Sequence, residues 1–295
     1  MLSIFITGSS GFVGANLKEY LGTSYFISEF NRENDLDIHS NVVIHLAGKA
    51  HDLKNTCTPN EYYEVNTELA KKVFDAFLVS DAKVFITLSS VKAVADEVEG
   101  ELTEVHHPNP ITHYGKSKLL AEEYIFSKKI PLGKRVYVLR PCMIHGPGNK
   151  GNLNLLFKLV SRNIPWPLGS FQNMRSFCSI DNLLFIIKEI MEREDIPSGV
   201  YNVADDEPLS TNDLIRLIAQ SQNRKPRFLN LSMRFIADIS KIGDKLHLPL
   251  NTERLKKLTS SYVVSNIKIK TALSKPLPVS SREGLLKTFK SFNNQ

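Results

Sequence analysis

Cysteine is scarce in this chain: Cys57, Cys142 and Cys178 are the only three in 295 residues. An odd number builds no disulfide framework, and their spacing fits no zinc motif, so no metal is expected. Reduced thiols in a cytoplasmic protein are the expectation. Cys142 and Cys178 sit in apolar segments, where a thiol acts as a small hydrophobe. Long apolar runs are also missing. No stretch approaches the ~18 residues of a spanning helix, so no membrane insertion is expected. The N-terminal MLSIFITGSSGFVG lacks a basic region and is broken early by Gly and Ser, unlike a secretory leader. There are no repeats and no low-complexity tract. Lys and Arg (37) exceed Asp and Glu (31), giving a net charge of +6. These cations are scattered rather than striped, which argues against nucleic acid as a partner. A mildly basic surface and a basic cleft for phosphate-bearing ligands both fit that balance.

What is present is alternation. Leu2–Thr7, Tyr25–Phe30, Val42–Ala47, Val84–Leu88 and Val136–Leu139 are short strand-like apolar runs. Phe12–Leu21, Glu61–Leu78 and Tyr114–Ser127 carry apolar residues at helical spacing. Strands alternating with helices predict an α/β fold, a Rossmann-type doubly wound parallel sheet covered on both faces. Asn31–Asn41 is too short for a helical crossover and is expected to be a loop or a single turn. Beyond Gly146, Gly, Pro and Asn cluster. Leu155–Ser161, Ser179–Arg193 and Ser210–Gln220 read as helices, and Pro165–Arg175 as an irregular loop. The Lys-rich tail from Arg224 is weakly patterned, with a final helix around Ser281–Phe292. The expected organisation is a nucleotide-binding core over 1–165, with part of 176–205 returning to it. A smaller C-terminal α/β lobe for substrate spans 166–295.

Three motifs carry chemistry. Gly8-Ser9-Ser10-Gly11-Phe12-Val13-Gly14 follows a strand and opens a helix, the context of a dinucleotide loop. Glycines let backbone approach a pyrophosphate, and the helix start offers free N–H groups to it. The acidic residue expected after the second strand, to hold a ribose 2′-hydroxyl, is missing. Asn31-Arg32 stands there, and Arg32 suits a 2′-phosphate. Asp37-Ile38 is a candidate contact for an adenine. Tyr114 and Lys118, four residues apart, share a helix face. An ammonium beside a phenol stabilises the phenolate and lowers its pKa. Ser89-Ser90 ends a strand, where ligands of open α/β sheets bind. Each motif alone has a plain structural reading, as a turn or a surface helix.

The three in this order resemble the extended short-chain dehydrogenase/reductase family, which includes nucleotide-sugar epimerases, dehydratases and ketoreductases. The resemblance continues through His45-Leu46-Ala47-Gly48, Asn66 in Val65-Asn66, Leu139-Arg140-Pro141, His145-Gly146-Pro147-Gly148, Arg175-Ser176-Phe177 and Gly199-Val200-Tyr201-Asn202-Val203. It covers roughly Met1 to Ala219. It implies Tyr114 as acid/base, Lys118 as its partner and Ser90 as the third catalytic member. It places Leu46, Ala47, Gly48, Asn66, Pro141 and Ile144 along the cofactor. Ser89, Lys92, Asn152 and Arg175 would face the substrate, Arg175 gripping a nucleotide diphosphate, and Lys49 and His51 would lie near it.

His145 departs from the family's usual tyrosine. Lys92 follows the serines where dehydratases carry Asp-Glu, and without a second acid and base the dehydratase branch is excluded. The wording of these segments is similar to bacterial ketoreductases of UDP-linked 4-keto-6-deoxyhexosamines in surface-polysaccharide synthesis. Reduction at C4 is therefore expected, with a UDP-hexose or UDP-N-acetylhexosamine 4-epimerase as the alternative. A non-catalytic NAD(P)-binding sensor or scaffold is the reading from another class, and intact Tyr114, Lys118 and Ser90 argue against it. The implied cofactor is NAD or NADP, with Arg32 tilting towards NADP. The implied partners are a UDP-linked sugar and a second copy of the chain, paired through the Glu61–Leu78 and Tyr114–Ser127 helices.

Overall fold

A computed structural model describes residues 1–30, 36–49, 58–149, 151–246 and 251–293. The chain opens with β1 (Ser3–Thr7), α1 (Phe12–Leu21), β2 (Phe26–Glu29) and β3 (Val42–His45). α2 (Pro59–Tyr62), a π-helical turn (Tyr63–Glu68) and α3 (Leu69–Val79) follow. Next come β4 (Val84–Leu88), β5 (Glu101–Leu102), α4 (His113–Ser127), β6 (Arg135–Pro141), β7 (Met143–His145) and α5 (Asn152–Ser161). The second half holds β8 (Phe177–Ser179), α6 (Ile180–Glu192), β9 (Gly199–Val203) and α7 (Thr211–Ser221). It continues with α8 (Met233–Leu246), α9 (Thr252–Thr259), β10 (Val263–Val264), α10 (Ile267–Leu273) and α11 (Ser281–Phe292).

The central sheet has six parallel strands in the order β2-β1-β3-β4-β6-β9. Strand side chains alternate between faces, and here both faces are apolar. Ile4, Ile6, Val42, Ile44, Val84, Ile86, Tyr137 and Leu139 face one core with Leu17 of α1 and Ile186 of α6. Phe5, Val43, Phe85, Val136 and Val138 face the other, with Phe74 and Phe77 of α3 and Ile125 of α4. This is why the strands read as nearly continuous apolar runs. β1 lies between β2 and β3, so the chain reverses direction across the sheet there, and the carboxyl ends around that point form a binding crevice.

The second half does not stand apart from this sheet. α6 packs on α1, and β9 pairs with β6 as the sheet's last strand. α10 and β10 add Val264, Ile269 and Leu273 to the sheet's core, whereas α5, α7 and α11 pack around Leu153, Phe177, Leu214, Ile218, Leu285 and Phe289. A neighbouring cluster holds Trp166, Leu168, Ile215, Ile236 and Leu255. Two short parallel pairs, β7–β8 and β5–β10, fasten this half to the first. α11 starts at Ser280, whose hydroxyl accepts from Glu283 N–H in a reciprocal capping box.

Two differences from the sequence reading are physical. The single helix expected over Glu61–Leu78 is broken by the π-helical turn. α8, α9 and α10 occupy the weakly patterned tail. Among the described side chains of α8, Ile236, Ser240 and Gly243 are buried, and Phe235, Ile236, Ile239 and Ile242 recur at helical spacing. Residues 36–41 carry no helix or strand, and Asn31 and Arg32 lie outside the described residues. Among the described residues no helix is long and apolar enough to cross a membrane. No cluster of three or more His, Cys, Asp or Glu side chains among them is placed to hold a metal.

Candidate active site

The glycine loop joins β1 to α1 above the sheet. Gly8 has φ 73°, in the left-handed region, and a Cβ there would stand 2.5 Å from Ala47 N. Backbone alone fits between the two strand ends. A Cβ on Gly14 would stand 2.3 Å from Gly8 O, so the first turn of α1 lies directly on the loop. Gly11 N–H donates to Gly8 O at 3.0 Å. Gly11 caps α1 without any side-chain hydrogen bond, leaving the helix start to offer its N–H groups outward. Ser10 is exposed at the tip, while Phe12 and Val13 lean on the core. Pro141 closes β6, and Ile144 lies in β7 against the same core. The cradle a side chain would fill is therefore kept open by glycine, and these residues fit a dinucleotide.

Glu29 supplies an acid where the sequence reading found none. It is the last residue of β2, not a residue beyond it. Hydrogen bonds from Ser9 of the glycine loop and from Lys18 hold its carboxyl below the usual range. Lys18 Nζ stands 2.9 Å away. Asp37, expected at an adenine, has its carboxylate 2.8 Å from His39 Nε2 at the surface. Ile38 packs its side chain into the core with Phe5 and Val43, so only its backbone is left for a ligand.

Behind the loop, Asn66 sits in the π-helical turn, a distortion often found at functional sites. Its side-chain oxygen accepts from Lys49 N–H at 2.8 Å. Its amide donates to Lys49 O at 3.1 Å and to the Ser117 hydroxyl at 3.0 Å. One buried side chain thus ties the Leu46–Lys49 segment to α4 beside Lys118. Gly48 fills the remaining gap: a Cβ there would stand 3.0 Å from Lys118 Nζ.

α4 carries the reactive pair. Thr112 caps it, accepting from Gly115 N–H at 3.2 Å, and Asp96 accepts from Ile111 N–H at 2.7 Å just before. Tyr114 follows at the first turn, its ring edge-on to Tyr62 at 6.1 Å. Ser90, buried at the end of β4, hydrogen-bonds the Tyr114 phenol. Burial pushes that phenol up from its ordinary value, and the Ser90 hydrogen bond opposes the rise. Lys118 is 8% exposed and donates to Leu88 O at 2.9 Å. Burial pushes its ammonium down to about 8. The structure therefore brings Ser90, Tyr114 and Lys118 to one place. The group that lowers the Tyr114 pKa here is the Ser90 hydroxyl, because Lys118 turns to the Leu88 carbonyl.

The expected substrate contacts divide. Ser89 is corrected: its hydroxyl donates to Glu122 in a buried network. Successive residues of an extended strand point to opposite sides, so Ser90 and Ser89 part company. Lys92 donates to Asp96 O at 2.7 Å and lies 4.3 Å over the Tyr262 ring. Its ammonium belongs to that contact. Arg175 is half-buried on a segment that pairs with Leu209 and Tyr262. Burial lowers its pKa, and Tyr262 opposes that. Asn152 is exposed at the first turn of α5. Lys49 pairs with Glu61, and His51 lies outside the described residues. His145 is fully buried, 2.9 Å from Thr288 Oγ1 and 3.4 Å from Asp205 Oδ2, and it fastens α11 to β7.

Comparison with known proteins identifies the family and the fold. The model of the NAD dependent epimerase/dehydratase family matches residues 27–204. The UDP-glucose 4-epimerase of Vibrio cholerae is 34% identical over 253 residues, 74% of this chain and 75% of that protein. The N-acetyl-alpha-D-glucosaminyl-diphospho-ditrans,octacis-undecaprenol 4-epimerase of Escherichia coli O157:H7 is 29% identical over 243 residues, 76% of this chain and 73% of that protein. Among solved structures, the UDP-glucuronic acid 4-epimerase of Bacillus cereus, in complex with NAD, superposes with a TM-score of 0.76. It covers 99% of both chains at 19% identity and shares the fold. Glycine loop, serine, tyrosine and lysine thus stand in a chain similar to 4-epimerases of diphosphate-linked sugars, one named for a UDP-sugar and one for an undecaprenol-linked sugar. The chain belongs to the NAD dependent epimerase/dehydratase family, enzymes of the extended short-chain dehydrogenase/reductase type.

Proposed function

We propose that this chain is a 4-epimerase of a UDP-linked hexose or N-acetylhexosamine, using NAD. The observation that carries the chemistry is the meeting of Ser90, Tyr114 and Lys118 at the carboxyl end of β4. The names of the Vibrio cholerae and Escherichia coli relatives support position C4 and epimerisation. Gly8, Gly11, Gly14 and the start of α1 would hold the pyrophosphate. Glu29 beside that loop favours a free ribose 2′-hydroxyl over a 2′-phosphate, and so NAD over NADP. Bound there, NAD would supply the acceptor and donor of hydride for C4.

The residues handle the proton. Tyr114 takes the proton of the C4 hydroxyl as the C4 ketone forms and returns it to that oxygen once the opposite face of the ketone has been reduced. Ser90 hydrogen-bonds the same oxygen and the phenol, holding both in line. Lys118, positively charged below pH of about 8, would stabilise the forming phenolate by turning from the Leu88 carbonyl towards it. Arg175 would meet the diphosphate from the second half of the chain.

Reduction of a UDP-linked 4-keto-6-deoxyhexosamine is the second reading. The raised Tyr114 phenol favours it, because a protonated phenol is the form that donates to a ketone oxygen. A second copy of the chain is the proposed partner. Leu120 and Phe126 of α4 are 43% and 49% exposed, as a helix face that pairs with another copy would be.

The test is a panel of UDP- and dTDP-sugars incubated with purified protein, with any co-purified nicotinamide released and identified. Both C4 epimers at equilibrium with unchanged cofactor support the epimerase. Stoichiometric oxidation of NADH or NADPH supports the reductase. Tyr114→Phe is expected to lower turnover about 10²- to 10⁴-fold in either case. Turnover unchanged by that substitution would end the catalytic assignment.

A further inference from the structure

Behind the reactive face of α4 lies a buried charge that the proton chemistry does not touch. Glu122 is one helical turn beyond Lys118 and is 3% exposed. Arg140 of β6, 5% exposed, donates from Nε to both carboxylate oxygens at 3.0 and 3.1 Å and again from Nη2. The Ser89 hydroxyl donates to the same carboxylate. Lys118 and Glu122 line one small cavity together with His45, Thr87 and Ser89. We propose that Glu122 is a positioning residue: held by Arg140, it anchors the strand end that carries Ser90 and presents its negative charge to the Lys118 ammonium.

The groups around Lys118 leave that task to Glu122. His45 faces it from β3, but burial pushes His45 down to about 3, so the imidazole is neutral. Asn66 of the π-helical turn and the Leu88 carbonyl of β4 are uncharged dipoles. Tyr114, one turn earlier on α4, carries a phenol whose pKa is raised. Arg140, on β6, pairs with the carboxylate and neutralises part of its charge. Glu122 alone among these groups opposes the burial that lowers the Lys118 pKa. A buried ion pair is seldom retained for stability, since apolar side chains of like volume do as well. Placement of charge at Lys118 and of Ser89 next to Ser90 gives this one a reason.

The inference rests on the roles assigned above to Tyr114, Ser90 and Lys118. Its test follows the Lys118 side chain by NMR against pH in the isotope-labelled, full-length protein, the signal being assigned by its loss in Lys118→Arg. Glu122→Gln keeps the shape and removes the charge. Because it strands the Arg140 cation, Glu122→Gln/Arg140→Met is measured beside it. Both variants are expected to titrate Lys118 below the wild type, by about one pH unit in Glu122→Gln, where the Arg140 cation remains, and by less in the double variant. The alkaline limb of kcat should move down with it while KM for the sugar nucleotide holds. A folded double variant with wild-type Lys118 titration and a wild-type alkaline limb would overturn the proposal. Failure of the catalytic assignment itself would appear elsewhere, as full turnover by Tyr114→Phe with the Lys118 titration still dependent on Glu122.

Discussion

Burial acts on Tyr114 and Lys118 with opposite signs: it raises the phenol and lowers the ammonium, favouring the neutral form of each. The Ser90 hydrogen bond works against this at Tyr114, so Ser90 has an electrostatic role as well as a steric one. Ser90→Ala is expected to lower kcat about 10²- to 10³-fold, the effect of losing one preorganised donor. It should also shift the pH dependence of turnover upward, which steady-state rates between pH 6 and 10 would register. Tyr114 and Lys118 were legible in the sequence because a four-residue spacing fixes a shared helix face. Ser89 was not separable from Ser90, since two adjacent serines look alike until the strand assigns each a side. Glu29 escaped because the acid was sought beyond the second strand rather than on its last residue. Glu122 stood in view, four residues after Lys118, but only β6 reveals the arginine that holds it.

At the level of elements, the π-helical turn does what a regular helix could not. One extra residue per turn brings Asn66 against both Lys49 and Ser117. Replacing it with alanine removes three hydrogen bonds and leaves the Lys49 N–H without its acceptor. Asn66→Ala is expected to destabilise the fold by about 1–3 kcal/mol, measurable as a lower urea midpoint. Affinity for NAD should fall too, since the Leu46–Lys49 segment loses its tie to α4, and quenching of protein fluorescence by NAD would show this. The sheet itself was readable, because alternate residues of β1, β3, β4 and β6 fill two cores and leave the strands apolar throughout. The π-helical turn was not, since a single inserted residue leaves the apolar pattern of Glu61–Leu78 nearly intact. The helices of the tail are a different case: α9 and α10 are short, whereas α8, 14 residues long, does carry apolar residues at helical spacing among its charges.

For the molecule as a whole, His45 sets an acid limit. It is 2% exposed, hydrogen-bonded to Thr7 at 2.7 Å, and burial, with Lys118, holds its pKa at about 3 against an ordinary 6.5. Between those values the unfolded chain binds a proton that the folded chain refuses. Stability from this group is therefore complete above about pH 6.5 and declines as pH falls towards about 3. The steepest loss is about 1.4 kcal/mol per pH unit. Urea unfolding at pH 7, 5 and 4 should show the decline, and His45→Asn should flatten it relative to the wild type.

The placement of β9 reaches furthest. It is the sixth strand of the sheet, yet it follows β6 only after the chain has left the sheet through β7, α5, β8 and α6. A fragment ending at residue 165 would bare the β6 edge, where Tyr137 and Leu139 are fully buried. It is expected to aggregate on expression, as pelleting and the loss of near-ultraviolet circular dichroism would record. The same order governs synthesis. As the chain leaves the ribosome, the sheet cannot close until Val203 has emerged, so most of the polypeptide waits beside an open strand edge, the stage most exposed to aggregation.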